Sequence, residues 1–160
     1  MQKITLISVG RLKEDFFKSA EKEYAKRLGG FCDLKIIEVN QQQLPSNPSE
    51  GQIESALLVE ADEIISKIPK GAEVVTLCIE GKLYSSGELS KTIENNANMG
   101  SGNMAFIIGG SFGLSEKVKN ISKIRLSMSK MTFPHRLARV MLLEQIYRAF
   151  QIEAGTKYHK

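Results

Sequence analysis

Lys3–Val9 (KITLISV) alternates apolar with polar positions and is rich in β-branched residues, so the pattern predicts a strand that Gly10 ends. From Asp15 the period changes. Phe16, Phe17, Ala20, Tyr24 and Leu28 recur near helical spacing up to Gly29-Gly30, which predicts a helix over 15–28. Leu34–Val39 reads as a second strand, and 40-NQQQLPSNPSEG-51, with two prolines and many amides, as a mobile loop. Ile53–Ile68 is a helix that turns Ile53, Ala56, Leu57, Val59, Ile64 and Ile68 inward and stops before Pro69.

Val74–Ile79 (VVTLCI) is almost continuously apolar, as in a strand covered on both faces. A polar helix follows from Ser86 to about Asn98, then a buried strand, Met104–Ile108, broken by Gly109-Gly110. A short helix capped by Ser115, a last strand Ile124–Met128 and a last helix Pro134–Glu153 complete the chain. This alternation argues for one α/β domain over 1–160, a mostly parallel sheet flanked by helices. The last helix is apolar nearly all round from Leu137 to Leu143, and Leu143, Ile146, Tyr147 and Phe150 continue a stripe. One face on the sheet and another on a second subunit would account for this, with Met141 or Leu142 near the interface.

At 160 residues, 42% hydrophobic and 25% charged, the composition is that of an ordinary globular protein. No apolar run approaches the length of a membrane span, and the N-terminus lacks a signal-peptide layout. Cys32 and Cys78 sit in apolar, strand-like segments without metal-type spacing, and read as buried structural thiols suited to a reducing cytoplasm. Charge is uneven: residues 1–80 hold 10 Lys/Arg against 13 Asp/Glu, and residues 81–160 hold 12 against 5. The basic C-terminal half either suits an anionic partner such as RNA or is merely a solvated surface of uneven charge.

Ligands of parallel sheets bind where strands end at their carboxyl edge, and three turns qualify: 77-LCIEG-81, 109-GGSFG-113 and 128-MSKMTFP-134. Gly81 either closes a tight turn or serves a ligand. Gly109-Gly110 either stops the strand or lets a ligand approach the backbone, in which case a branched side chain at Gly109 should fill the ligand's space. Gly109, Ser111 and Gly113 also match the G-x-S-x-G elbow of serine hydrolases. No aspartate follows Asp62, however, and the chain is short for that fold, which weighs against a hydrolase. No phosphate-loop motif is present, and His135 and His159 are too far apart in sequence to suggest a zinc cluster. In the third turn, Pro134 suits the first turn of a helix that Thr132 would cap. The N–H and C=O groups of Met128–Met131 must be satisfied somewhere, and an adenine edge offers both donors and acceptors. Met and Phe side chains suit its flat faces.

ITLISVGRLK, VVTLCIEGK, IIGGSFGLS, SMSKMTFPHRLARVMLLEQIYRAF and the terminal YHK, taken together and in order, resemble the RlmH family of SPOUT methyltransferases along essentially the whole chain. The resemblance implies an enzyme that uses S-adenosylmethionine to methylate N3 of a pseudouridine in 23S ribosomal RNA, plausibly on the large subunit or the assembled ribosome. It implies a cytoplasmic homodimer with a C-terminal trefoil knot and no metal. Carried over by motif, Leu77, Gly109, Met128, Ser129, Lys130, Met131, Thr132 and Phe133 bind the cofactor. Tyr158 and His159 lie near the substrate, and His159 and Arg148 are candidates for handling the N3 proton or its charge. Without the resemblance, the terminal tripeptide would read as a frayed end. An RNA-binding protein of the same fold without catalysis is the alternative.

Overall fold

In the computed structural model of the chain, which describes residues 1–159, five strands and five helices alternate. They are β1 (Gln2–Val9), α1 (Asp15–Leu28), β2 (Cys32–Val39), α2 (Glu50–Lys67), β3 (Glu73–Leu83), α3 (Ser86–Met99), β4 (Asn103–Ile108), α4 (Glu116–Lys119), β5 (Ile124–Ser127) and α5 (His135–Glu153). The strands form one sheet in the order β2-β1-β4-β3-β5, and every pairing is parallel.

Alternation within the strands divides the core in two. Ile4, Leu6, Met104, Phe106 and Leu126 join Leu28, Leu89, Ile93, Leu142, Leu143 and Ile146 on the face covered by α1, α3 and α5. Ile7, Val9, Val39, Val74 and Ile107 meet Ala61, Ile64 and Val118 on the face covered by α2 and α4. With both faces covered, β1 and β4 are buried almost throughout, which is why they read as near-continuous apolar runs. Cys32 and Cys78 are free and buried, and burial pushes the Cys32 thiol up to about 11.

On α1 the side chains turned towards the sheet are Tyr24 and Leu28, while Phe16 is 67% exposed and tilted against Phe17. Several expectations are corrected. Val59 is exposed and Glu60 buried, since the Glu60 carboxylate accepts a hydrogen bond from the Gln42 N–H at 2.8 Å. The loop after β2 ends two residues early: Ser49 and Gln52 form a reciprocal capping box that starts α2 at Glu50. Leu142 is fully buried in its own subunit's core and is unavailable to a partner. Thr132 does not cap α5. Pro134, with extended ψ of 140°, is itself the residue before the helix, and no side chain caps that end.

Candidate active site

Three chain segments at the carboxyl ends of β3, β4 and β5 enclose a cleft of about 810 Å³, closed on one side by the first turn of α5. A concavity of similar size lies elsewhere, beside Met1, Lys3, Cys32 and Asp33, so volume alone does not choose between them. Only the first gathers the three turns singled out from the sequence, and it sits where parallel sheets bind ligands.

The first segment is a continuation of β3. After Leu77 its register against β5 shifts, and pairing resumes at Lys82 opposite Leu126. Gly81 makes this possible: a Cβ there would stand 2.6 Å from the Arg125 carbonyl oxygen. Gly81 therefore serves the contact between strands rather than a tight turn. The second segment, after β4, folds back on itself, with the Gly113 N–H donating to the Gly110 carbonyl at 3.0 Å. Gly113 has φ +80°, which favours glycine. The third runs from Met128 to Pro134, and no main-chain hydrogen bond joins Lys130–Phe133 to other backbone among the described residues.

Leu77, Gly109, Met128, Met131, Thr132 and Phe133 line the cleft, six of the eight residues carried over by motif. Ser129 turns aside: its hydroxyl accepts from the Met131 N–H, its carbonyl accepts from the Ser127 hydroxyl, and it lines a smaller adjoining cavity with Met141 and Gln145. Lys130 does not reach the cleft wall. Sequence reading missed Ile79, Glu80, Phe112, Lys119 and His135, which also line it. His135 stood inside the motif, but nothing marked its direction. Glu80 and Lys119 are a pair that only the fold brings together, 2.5 Å apart. The hydrogen bond from Lys119 holds the Glu80 carboxyl below its usual range; burial opposes the charge on Lys119, but the hydrogen bond and negative charge of Glu80 together with its other acidic neighbours raise its pKa.

Burial, reinforced by Arg136, lowers the pKa of His135, so its ring is neutral near pH 7. Its Nε2 is buried without a hydrogen-bond partner, and His159 faces Arg148, so neither histidine is bonded to Ser111. The hydrolase reading loses its base. Apolar walls from Leu77, Ile108, Leu114, Leu126 and Phe133, together with a third segment whose backbone from Lys130 to Phe133 has no main-chain partner, fit a nucleoside-sized ligand with a flat apolar body and a polar edge.

The space at Gly109 is not what the sequence suggested. A Cβ there would overlap the Gly113 carbonyl and approach Leu114 Cγ at 3.0 Å, so the glycine shapes the turn instead of leaving room for a ligand. Gly109→Ala should destabilise the fold by about 1–3 kcal/mol and weaken ligand binding with it. Gly110→Ala, whose Cβ would meet nothing closer than 3.4 Å, should melt near wild type. Equal melting temperatures for the two variants would contradict this placement.

The C-terminal residues form a second group. The Arg148 side chain bonds Glu144 at 2.7 Å and 3.0 Å, and its Nη1 lies 3.3 Å from His159 Nδ1. The Tyr158 hydroxyl donates to Glu144 at 3.2 Å, and its ring meets Tyr147 edge-on at 5.0 Å. Burial and then Glu144 raise the Tyr158 pKa, which keeps the phenol protonated. Arg148, His159 and Tyr158 are thus brought together, while Lys160 of the same tripeptide lies outside the described residues. Arg148 is ten residues beyond Ala138 of the cleft wall, about 15 Å along the helix axis.

Residues 2–159 match the family model described as "Predicted SPOUT methyltransferase". A protein of Clostridium botulinum (strain Alaska E43 / Type E3) named ribosomal RNA large subunit methyltransferase H is 51% identical, over 98% of this chain and 99% of its own. A protein of the same name from Lactococcus lactis subsp. cremoris is 44% identical over 99% of both chains. Among solved structures, one of a Bordetella pertussis protein described as a methyltransferase superposes with TM-score 0.56 at 12% identity, over 92% of this chain and 93% of that one. Another, a Legionella pneumophila protein described in the same way and with bound SAM, has TM-score 0.51 at 13% identity, over 94% and 66% of the two chains.

Proposed function

This chain belongs to the SPOUT methyltransferase family, within the group named ribosomal RNA large subunit methyltransferase H, and from that premise we propose that it methylates N3 of a pseudouridine in 23S ribosomal RNA. When bound, S-adenosylmethionine supplies an activated methyl group on a sulfonium centre. The observation that carries the reading is the cleft itself, whose glycine-shaped turn, apolar walls and loop backbone without main-chain partners suit that cofactor. Leu77, Gly109, Met128, Met131, Thr132 and Phe133 hold it. Ser129 and Lys130 shape the loop around it.

Methyl transfer to nitrogen is a displacement in which the protein mainly positions the reactants, at roughly 3–3.5 Å, and handles the N3 proton. Tyr158 holds the base, and either His159 accepts the proton or the Arg148 guanidinium stabilises the charge left behind. The tail lies well along α5 from its own cleft, so we place the reaction between the cleft of one copy and the tail of another. Ile79 and Met131, 70% and 74% exposed beside the cleft, supply an apolar surface for such a homodimer. Ile79→Glu with Met131→Glu should give a folded monomer that has lost most activity. Light scattering showing a dimer unaffected by both changes would remove this surface from the interface.

The residues from 1 to 160 act as one domain. We propose a trefoil knot at the three turns, a reading compatible with β5 lying at the sheet edge beyond β3 while α5 packs on both α1 and α3. The target is presented by the large subunit or the assembled ribosome in the cytoplasm, and no metal is needed. No helix among the described residues is long and apolar enough to cross a membrane. Radiolabelled S-adenosylmethionine offered in parallel to ribosomes, subunits and naked rRNA tests the whole reading. Stoichiometric cofactor binding without methyl transfer to any of them would leave the non-catalytic RNA-binding alternative.

A further inference from the structure

The charge distribution along the sequence points to the C-terminal half as the side that meets RNA, yet the tail packs on a stretch of α5 whose Tyr147 meets α1, in the acidic half. Arg27 is the link. Its guanidinium lies over the ring of Tyr24 at 5.4 Å and over that of Tyr147 at 5.7 Å. Tyr147 in turn meets Tyr158, and Arg148 covers Tyr158 from 4.9 Å. Two guanidinium groups therefore flank a pair of tyrosines that includes the proposed substrate-side residue.

The two arginines differ in what remains free. Arg148 engages Glu144 through Nε and Nη2 and His159 through Nη1. Arg27 engages Glu23 through Nε alone, at 3.1 Å, so both of its η nitrogens remain to donate. Stacking on aromatic rings holds such a planar fork in one orientation, which suits two-pronged recognition of a phosphate. Lys18, Lys22 and Lys26 follow at four-residue intervals along the exposed side of α1, about 6 Å apart on the axis. None of the three has a carboxylate within 4.0 Å among the described residues, whereas Glu21 and Glu23 on the same helix are taken up by Arg139 and Arg27. A lysine row alone would be an ordinary solvated face. A row that leads to a half-engaged, stacked arginine beside the tail is a track for a nucleic-acid backbone.

We propose that α1 is an RNA-binding surface of this enzyme, with Arg27 gripping a backbone phosphate next to the target nucleotide and Lys18, Lys22 and Lys26 following the strand away from it. This rests on the reading of the tail as the substrate side. Glu23 tempers the local charge but leaves the donating edge open.

The test is methyl-transfer kinetics on large ribosomal subunits over a range of salt. Arg27→Gln should raise KM for subunits roughly tenfold, the scale of losing a charged hydrogen bond. It should also reduce the slope of log KM against log salt by about 0.7–0.9, one phosphate contact, and leave cofactor affinity unchanged. Arg27→Lys should restore the salt slope but only part of KM. Lys18, Lys22 and Lys26 changed together to Gln should reduce the slope further with kcat little altered. An Arg27→Gln protein that folds and binds cofactor, yet keeps its KM and salt slope, overturns the proposal. So does a loss confined to kcat, which would make Arg27 a mere prop for Tyr158, and so does a raised KM with an unchanged salt slope, which would assign α1 to a protein partner. Deleting Tyr158–Lys160 separates the two readings. Full activity after deletion sinks the role of the tail, whereas failure of the Arg27 arm alone leaves the deletion effect in place.

Discussion

Removing Tyr158–Lys160 is expected to lower methyl transfer to ribosomes by at least about tenfold while leaving affinity for S-adenosylmethionine close to wild type. The expectation follows from where the two groups of residues sit. Tyr158 is held by Tyr147, Glu144 and Arg148, and none of these lines the cleft between the three turns. A base stacked on an aromatic ring gains about 1–3 kcal/mol, and the deletion removes that ring together with the imidazole beside Arg148. Arg148 and Glu144 remain paired at 2.7 Å, so α5 has no reason to unravel. Calorimetry with the cofactor and single-turnover methylation distinguish the outcomes. If both parameters fall together, the tail supports the cofactor cleft and the division of roles proposed above is wrong.

Arg139→Ala should be the most destabilising single change to a polar residue in the chain, at about 3 kcal/mol. Arg139 is 3% exposed on α5, next to Ala138 of the cleft wall. Its Nε and Nη2 reach the two oxygens of Glu21 on α1 at 2.5 Å and 3.0 Å, and Nη1 reaches Glu38 on β2 at 2.8 Å. Truncating one member of a buried ionic group leaves the others uncompensated, which commonly costs 3–5 kcal/mol. Glu21 and Glu38 are partly solvated, so the lower end applies. Arg139→Met, which keeps the volume, should recover part of the loss. Urea denaturation measures both variants, and a midpoint shift worth less than about 1 kcal/mol for the alanine would show that the group contributes little.

The long-range partners of Arg139 also mark what could be read from the sequence and what could not. The order of strands and helices was legible because the buried strands are apolar runs and the turns carry paired glycines. Six of the residues proposed for the cofactor line one cleft because the motifs fall in the turns that enclose it. Glu60 and Arg139 were not, since each is a charged residue whose burial depends on partners far away in sequence, 118 residues for Arg139 and Glu21. Val59 was misread for the opposite reason: it is an apolar side chain near the edge of a helical stripe, and it faces solvent while its neighbour Glu60 turns inward. Gly81 looked like a turn residue because its neighbour, the Arg125 carbonyl, belongs to a strand not yet reached in the sequence. Lys119 and His135 join the site through packing alone.

The position of α5 has a consequence for how the chain is made. Leu142, Leu143, Ile146 and Phe150 complete the core on the face shared with α1 and α3, yet they follow all five strands in the sequence. At about 5–20 residues per second, the nascent chain spends seconds with all five strands translated and one side of the sheet uncovered. A sheet of wholly parallel, non-local pairings also forms slowly. Truncated or stalled products ending before α5 should therefore be chaperone clients and prone to aggregate, and a released chain becomes competent only once its final helix has docked.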